Sequence, residues 1–181
     1  MSTNTRLAGY RERRNAFFRE HPNSPLTEEQ KAEFEGLRYF PENPDLNLTL
    51  EIDESGEGIG ETIQVGTLSG EVKDYIRVGR IHFQSEGQPA TLSVFKDTER
   101  GRYFMPFRDA TAGNESYSVG RYIDPKARPD GRLVVDFNMA YNPYCAYNTG
   151  WACPIPPSEN ITNVRIPAGE MDPGLLPHDD E

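Results

Sequence analysis

The period of apolar and polar positions changes once along this chain. Over residues 6–20, Leu7, Tyr10, Arg14, Phe17 and Phe18 recur near one face at helical spacing, which predicts an amphipathic helix. Pro22 ends it, because proline disfavours helical backbone in the residue before it. A second helix is predicted over 27–36. Thr27 caps it, Gln30 completes a capping box, and Gly36 stops it. From residue 46 the period falls to two. Leu46, Leu48, Leu50 and Ile52 alternate with Asn47, Thr49, Glu51 and Asp53, as in a strand buried on one face. Further strands are predicted over 62–68, 74–84, 90–97, 102–107, 116–124 and 132–142, separated by turn residues. Pro106 places the 102–107 strand at an edge or a bulge. The pattern predicts a mainly β fold, an antiparallel β-barrel or sandwich of about seven to eight strands with two N-terminal helices. A doubly wound parallel sheet is not expected, because helices and strands do not alternate. Residues 1–171 read as one β-rich domain that includes an ordered Pro/Tyr/Asn-rich segment over 143–170, followed by an acidic tail over 172–181.

Charge narrows the partners. The net charge of −10 repels phosphate backbones and anionic lipid, so neither nucleic acid nor a membrane surface is an expected partner. Only four lysines stand against 15 arginines and 29 acidic residues. That balance suits a protein soluble at high salt, and equally a generic acidic cytosolic one. No apolar run approaches the ~20 residues that span a bilayer. The opening residues MSTNTRLAGYRERRNAFF lack an apolar signal region, so the protein is expected in the cytoplasm with reduced thiols. The Asn-x-Ser/Thr triplets at 47–49, 114–116 and 160–162 are then chance sequons. Nothing in the pattern sets an oligomeric state.

The 116–124 and 132–142 strands read as a hairpin. Tyr117, Val119, Arg121 and Ile123 share one face of the first strand, and Leu133, Val135, Phe137, Met139 and Tyr141 share one face of the second. Matching apolar faces puts Arg121 on the packed side. There it must be paired or line a wet cavity, unless it lies near the strand end and snorkels to water. The opposite face carries Ser118, Tyr122, Asp136 and Asn138, either solvent surface or the wall of a ligand cup.

Residues 136–160 concentrate both cysteines, the only tryptophan and three tyrosines. Cys145 and Cys153 form a C-x7-C pair, while His21, His82 and His178 are scattered, so no metal is expected and small buried packing thiols are. No cofactor motif is present: GEGIG at 56–60 lies between strands with no helix after it, so it is a turn. Tyr141, Tyr144, Tyr147 and Trp151 suit sugar-like or aromatic ligands, and equally suit clamping the loop onto the sheet. Asn138, Asn142 and Asn160 tie loop backbone together or line a pocket.

The blocks MPFRDATAGNESYSVGRYID (105–124), DFNMAYNPYCAY (136–147), CPIPPSEN (153–160) and IPAGE (166–170) resemble those of domain-of-unknown-function family 1684. SPLTEEQKAEFEGLRYFP (24–41) resembles its N-terminal block, and GRYFMPF its Leu/Phe-rich block, with Met105 at a usually apolar position. The resemblance runs from about residue 6 to 171 and implies no particular activity. The site expected from the residues is a pocket at one end of the sheet. Arg121 and Arg108 would bind an anionic or carbonyl group, Asp136, Asn138, Asn142 and Glu159 would hydrogen-bond, Tyr147 would stack, and Cys145 would lie close by. The ligand would be a small polar or anionic molecule. Two alternatives stand beside it: a hydrolase using Asp136 or Glu159 as base with Arg121 stabilising negative charge, and a structural protein with no pocket.

Overall fold

A computed structural model describes residues 5–175. Helix α1 spans Thr5–Glu20 and α2 spans Glu28–Glu33. The strands that follow are β1 (Asn47–Leu50), β2 (Thr62–Gly66), β3 (Val72–Ser85), β4 (Gln88–Asp97), β5 (Tyr103–Phe107), β6 (Arg121–Ile123), β7 (Lys126–Ala127) and β8 (Leu133–Asp136). They make two antiparallel sheets, one in the order β2-β3-β4-β5-β6 and one in the order β1-β8-β7. The protein is mainly β with two helices ahead of the sheets.

Leu7 and Phe18 are the buried residues of α1, about three turns apart on one face. The capping box of α2 forms as its sequence requires. Thr27 Oγ1 accepts from the Gln30 backbone N–H at 3.1 Å, and Gln30 Oε1 accepts from the Thr27 N–H at 2.8 Å. The helix stops at Glu33, short of Gly36, because Phe34 is already extended.

Two bridges join the sheets. Asp53, just past β1, exchanges backbone hydrogen bonds of 2.7 and 2.9 Å with Arg80 of β3. Tyr141, past β8, exchanges bonds of 2.9 and 3.0 Å with Tyr122 of β6. Gly79 sits at the β3 bulge, where a Cβ would lie 2.1 Å from Ile52, so only glycine lets the first bridge close. Between the sheets lies the main core, built on Leu46, Ile81, Leu92, Met105, Phe107 and Phe137.

Three local expectations are corrected. The 116–124/132–142 hairpin does not form as one ladder. β6 pairs with β5 (Phe107↔Arg121), while β8 pairs with β1 and with the two-residue β7. Residues 137–139 close into a 3-10 turn, which ends the alternation of faces before Asn138. Pro106 is not at an edge, since β5 has β4 on one side and β6 on the other. A proline cannot donate to a ladder, and β4–β5 pairing stops at Phe104. The Asn160 carboxamide takes over as a surrogate peptide. Its Oδ1 accepts from Ser93 N at 2.7 Å, and its Nδ2 donates to Ser93 O at 2.9 Å and Pro106 O at 2.8 Å.

From Cys153 to Met171 the chain runs as an irregular strap. It bridges Thr67 through Pro154, Arg108 through Ile161 and Tyr39 through Glu170, and it drives Ile166 and Ala168 into the core. The Asp172 N–H continues onto Glu115 O at 3.0 Å. The rest of the acidic tail, residues 176–181, lies outside the described residues.

Candidate functional site

Strand β6 directs Arg121 inward, and the side chain is 1% exposed. Its guanidinium donates to the carbonyls of Ala168, Ile166 (3.0 Å) and Glu170 (3.1 Å), and to Asp109 Oδ1 at 3.4 Å. The Phe107 and Phe40 rings lie 5.1 and 5.6 Å away. Burial pushes its pKa down, and Asp109 pulls it back up. Asp109 in turn accepts from Thr111 Oγ1 and, at 2.6 Å, from Ile166 N. The arginine is therefore the pin that holds 166–170 in place.

Glu170 is the second pin. Its Oε1 accepts from Arg14 Nε at 3.0 Å and from a terminal guanidinium nitrogen at 2.7 Å. Its Oε2 accepts from Asn142 N at 2.7 Å and from the Tyr147 hydroxyl at 3.1 Å. Asn142 Nδ2 donates to Met171 O at 2.9 Å, and Phe18 meets Tyr147 edge-on with centroids 4.8 Å apart. Arg121, Asn142 and Tyr147 thus converge, on the strap. Sequence reasoning did not single out Arg14, Asp109 or Glu170 as parts of one assembly. The one legible signal was Arg14 on an otherwise apolar helix face.

The other five residues lie elsewhere. Asp136 Oδ1 caps the 137–139 turn, accepting from Asn138 N at 3.0 Å and Nδ2 at 2.9 Å. Asn138 also exchanges bonds with the Asn43 backbone, 2.8 Å from Asn43 N and 2.9 Å to Asn43 O. Glu159 is gripped by Arg77 at 2.9 and 2.6 Å and by Ser93 Oγ at 2.5 Å. Partial burial raises its pKa, but those hydrogen bonds outweigh it and hold the carboxyl below the usual range. Arg108 is exposed and donates to Ser118 O at 2.9 Å. The buried Cys145 thiol donates to Trp151 O at 3.2 Å. Cys153 beside it is pushed up to about 12 by burial and by its hydrogen bond with Cys145.

The open surface lies on the other side of the sheet. Met105, Phe107 and Ile123 face the core, so Phe104 and Tyr122, at alternate positions, face away from it. There the rings form a row. Tyr75 stacks on Phe104 (5.3 Å), Phe104 meets Tyr122 edge-on (5.0 Å), and Tyr122 meets Tyr141 (5.7 Å). The 142–154 segment supplies the opposite wall, where Tyr144 and Trp151 contact edge-on at 5.1 Å. The groove between them encloses about 290 Å³, with Lys73 and Cys153 also lining it. Trp151 is 37% exposed. Tyr122 donates its hydroxyl to Pro154 O at 2.5 Å, which ties the floor to the 142–154 wall.

A second hollow of about 240 Å³ separates α1 from the β6–β8 end of the sheets. Arg6 and Tyr10 line it from the helix, and Asp124, Lys126, Asp136 and Tyr141 from the strands. Tyr141 donates to Asp124 Oδ2 at 2.9 Å. Solvent reaches Asp124, yet the crowding walls push its pKa up, and the Tyr141 bond offsets this only in part. Among the described residues no group of three or more His, Cys, Asp or Glu side chains is placed to hold a metal. Nor is any helix there long and apolar enough to cross a membrane.

Comparison with known proteins places the chain without assigning it chemistry. It resembles the solution NMR structure of an uncharacterized protein from gene locus rrnAC0354 of Haloarcula marismortui, with a TM-score of 0.68 and 34% identity over 92% of each chain. No curated protein matches it. Residues 32–171 match the model of the family described as protein of unknown function, DUF1684. That span takes in both sheets, the Arg121 and Glu170 pins and the aromatic groove, and the chain belongs to the DUF1684 family.

Proposed function

We propose that the protein binds a small molecule with a flat face, sugar-like or aromatic, in the groove lined by residues 141–154. The observation that carries this reading is the ring row Tyr75–Phe104–Tyr122–Tyr141 facing the Tyr144–Trp151 pair across an open channel. Aromatic rings with polar tips provide stacking area at low entropy cost. A small anion is the weaker candidate, because the Arg121 donors are spent on strap carbonyls and Lys73 is the cation that lines the groove. On this reading the sheets, joined by the Asp53–Arg80 and Tyr122–Tyr141 bridges, act as a flattened barrel with a solid interior. Ligand is then held on the outer face of the barrel.

Trp151 is the only tryptophan, so its fluorescence reports on this groove alone. Titration with a panel of neutral sugars, nucleosides and simple aromatic alcohols should give a saturable emission change and a ligand-dependent rise in Tm. Tyr144→Ala should abolish both while leaving the fold intact. A panel that moves neither signal refutes the reading and leaves a structural role.

A further inference from the structure

The groove and the α1 hollow share a wall, Tyr141, but offer different chemistry. The groove is mostly aromatic. The hollow presents hydrogen-bonding groups of both kinds. Lys126 pairs with Val134 and Ala127 with Leu133. Asp124 and Asp136 line the hollow together with Lys126 and Val134. Tyr141 occupies Asp124 Oδ2, and Asn138 occupies Asp136 Oδ1. Among the described residues Asp124 Oδ1 and Asp136 Oδ2 have no hydrogen-bond partner, so each carboxylate keeps one oxygen for a guest. Arg6 and Lys126 line the same hollow and can donate.

These features select among the ligands a ring-lined groove could hold. A purely aromatic guest would leave the carboxylates and cations of the hollow unmatched, which forfeits hydrogen bonds on desolvation. An anion would meet two carboxylates on a chain of net charge −10. A neutral sugar chain fits both halves. Each pyranose has an apolar C–H face that stacks on aromatic rings and a rim of hydroxyls that donate to carboxylates.

We propose that the ligand is a neutral carbohydrate of two or more linked rings. One ring stacks in the groove, and the next passes Tyr141 to place its hydroxyls on Asp124 and Asp136 in the hollow. This rests on the groove reading above and adds to it the ligand class and a second subsite.

The test follows Trp151 emission during titration of the intact protein with neutral oligomers of glucose, galactose, mannose and N-acetylglucosamine, from one ring to six. At least one series should bind about tenfold more tightly at two or more rings than at one. Asp124→Ala should remove that gain while single-ring binding persists, because in the groove it frees only the Tyr141 hydroxyl and leaves Tyr75, Phe104, Tyr122, Tyr144 and Trp151 in place. Circular dichroism would verify that the variant is folded. Affinity independent of chain length, a gain that survives Asp124→Ala, or a response confined to nucleosides and aromatic alcohols overturns the carbohydrate assignment but keeps the groove. Silence of Trp151 toward every probe overturns both.

Discussion

The strap anchor and the aromatic groove meet at neighbouring residues, Arg121 beside Tyr122 and Asn142 beside Tyr141, and they use their polar groups in opposite ways. At the anchor, Arg121 and Glu170 are each 1% exposed and turn their charges onto protein partners. Among the described residues, Asn142 Oδ1 and the hydroxyl of Tyr39, which bridges to Glu170, are the buried oxygens there without a partner. At the groove and the adjoining hollow, rings are braced by rings, while Asp124 and Trp151 are exposed. A dense set of hydrogen-bonding side chains marks a recognition surface only where its bonds are not already made inside. Otherwise it replaces regular secondary structure, as Asn160 replaces the ladder that Pro106 interrupts.

The sharpest way to break this contrast is Arg121→Ala. Removing one member of a buried charged cluster should cost about 3–5 kcal/mol, because Asp109 and three strap carbonyls lose their donor. Urea unfolding measures it. A loss under about 1 kcal/mol would mean that the strap does not depend on its pin and that the anchor is no more committed than the groove. Asn160→Ala comes next, at about 2–3 kcal/mol, since Ser93 and Pro106 would keep buried, unpaired backbone groups. Gly169→Ala tests the strap path through shape alone. Gly169 has φ +81°, and an added Cβ would sit 2.7 Å from Phe137 O and from Ala140 Cβ. About 1–3 kcal/mol of strain should appear as a lowered Tm. By contrast, Tyr144→Ala in the groove should abolish ligand response at a smaller cost in stability, because Tyr144 is only half-buried.

How far the sequence could carry follows from what each feature depends on. The capping box was readable because every atom it needs lies within four residues. The alternation at 46–53 was readable because one face of that chain is buried. The inward turn of Arg121 followed from parity along one strand. Its partners did not, since Ala168 and Glu170 lie 47 and 49 residues away in a segment without periodicity. The hairpin failed because β6 and β8 went to different sheets, a choice set by tertiary packing rather than by the seven-residue connector. The groove was half visible. Tyr141, Tyr144 and Trp151 stood out by their density, but Tyr75, Phe104 and Tyr122 read as ordinary strand residues until three strands and the returning chain met on one face. Asp124, at a strand end, carried no local mark.

Two carboxyls give the finest test of the contrast. Glu159, clamped by Arg77 and Ser93, has a lowered pKa. It adds stability above its unfolded pKa, and that stability is lost as pH falls through the folded value. Glu159→Gln should therefore destabilise at neutral pH and have almost no effect once both states are protonated. Asp124, crowded at the mouth of the hollow, has a raised pKa. Its favourable contribution belongs to the protonated form, is full below the unfolded pKa, and is gone once pH rises through the folded one. Asp124→Asn should then stabilise slightly at neutral pH, by less than about 1 kcal/mol given solvent screening, and the gain should fade in acid. Urea midpoints at neutral and acidic pH measure both signs. A group that weakens the fold while keeping an oxygen open to solvent is what a binding site retains against stability. If Asp124→Asn instead destabilises at neutral pH, Asp124 belongs with Arg121 and Glu170 as part of the frame.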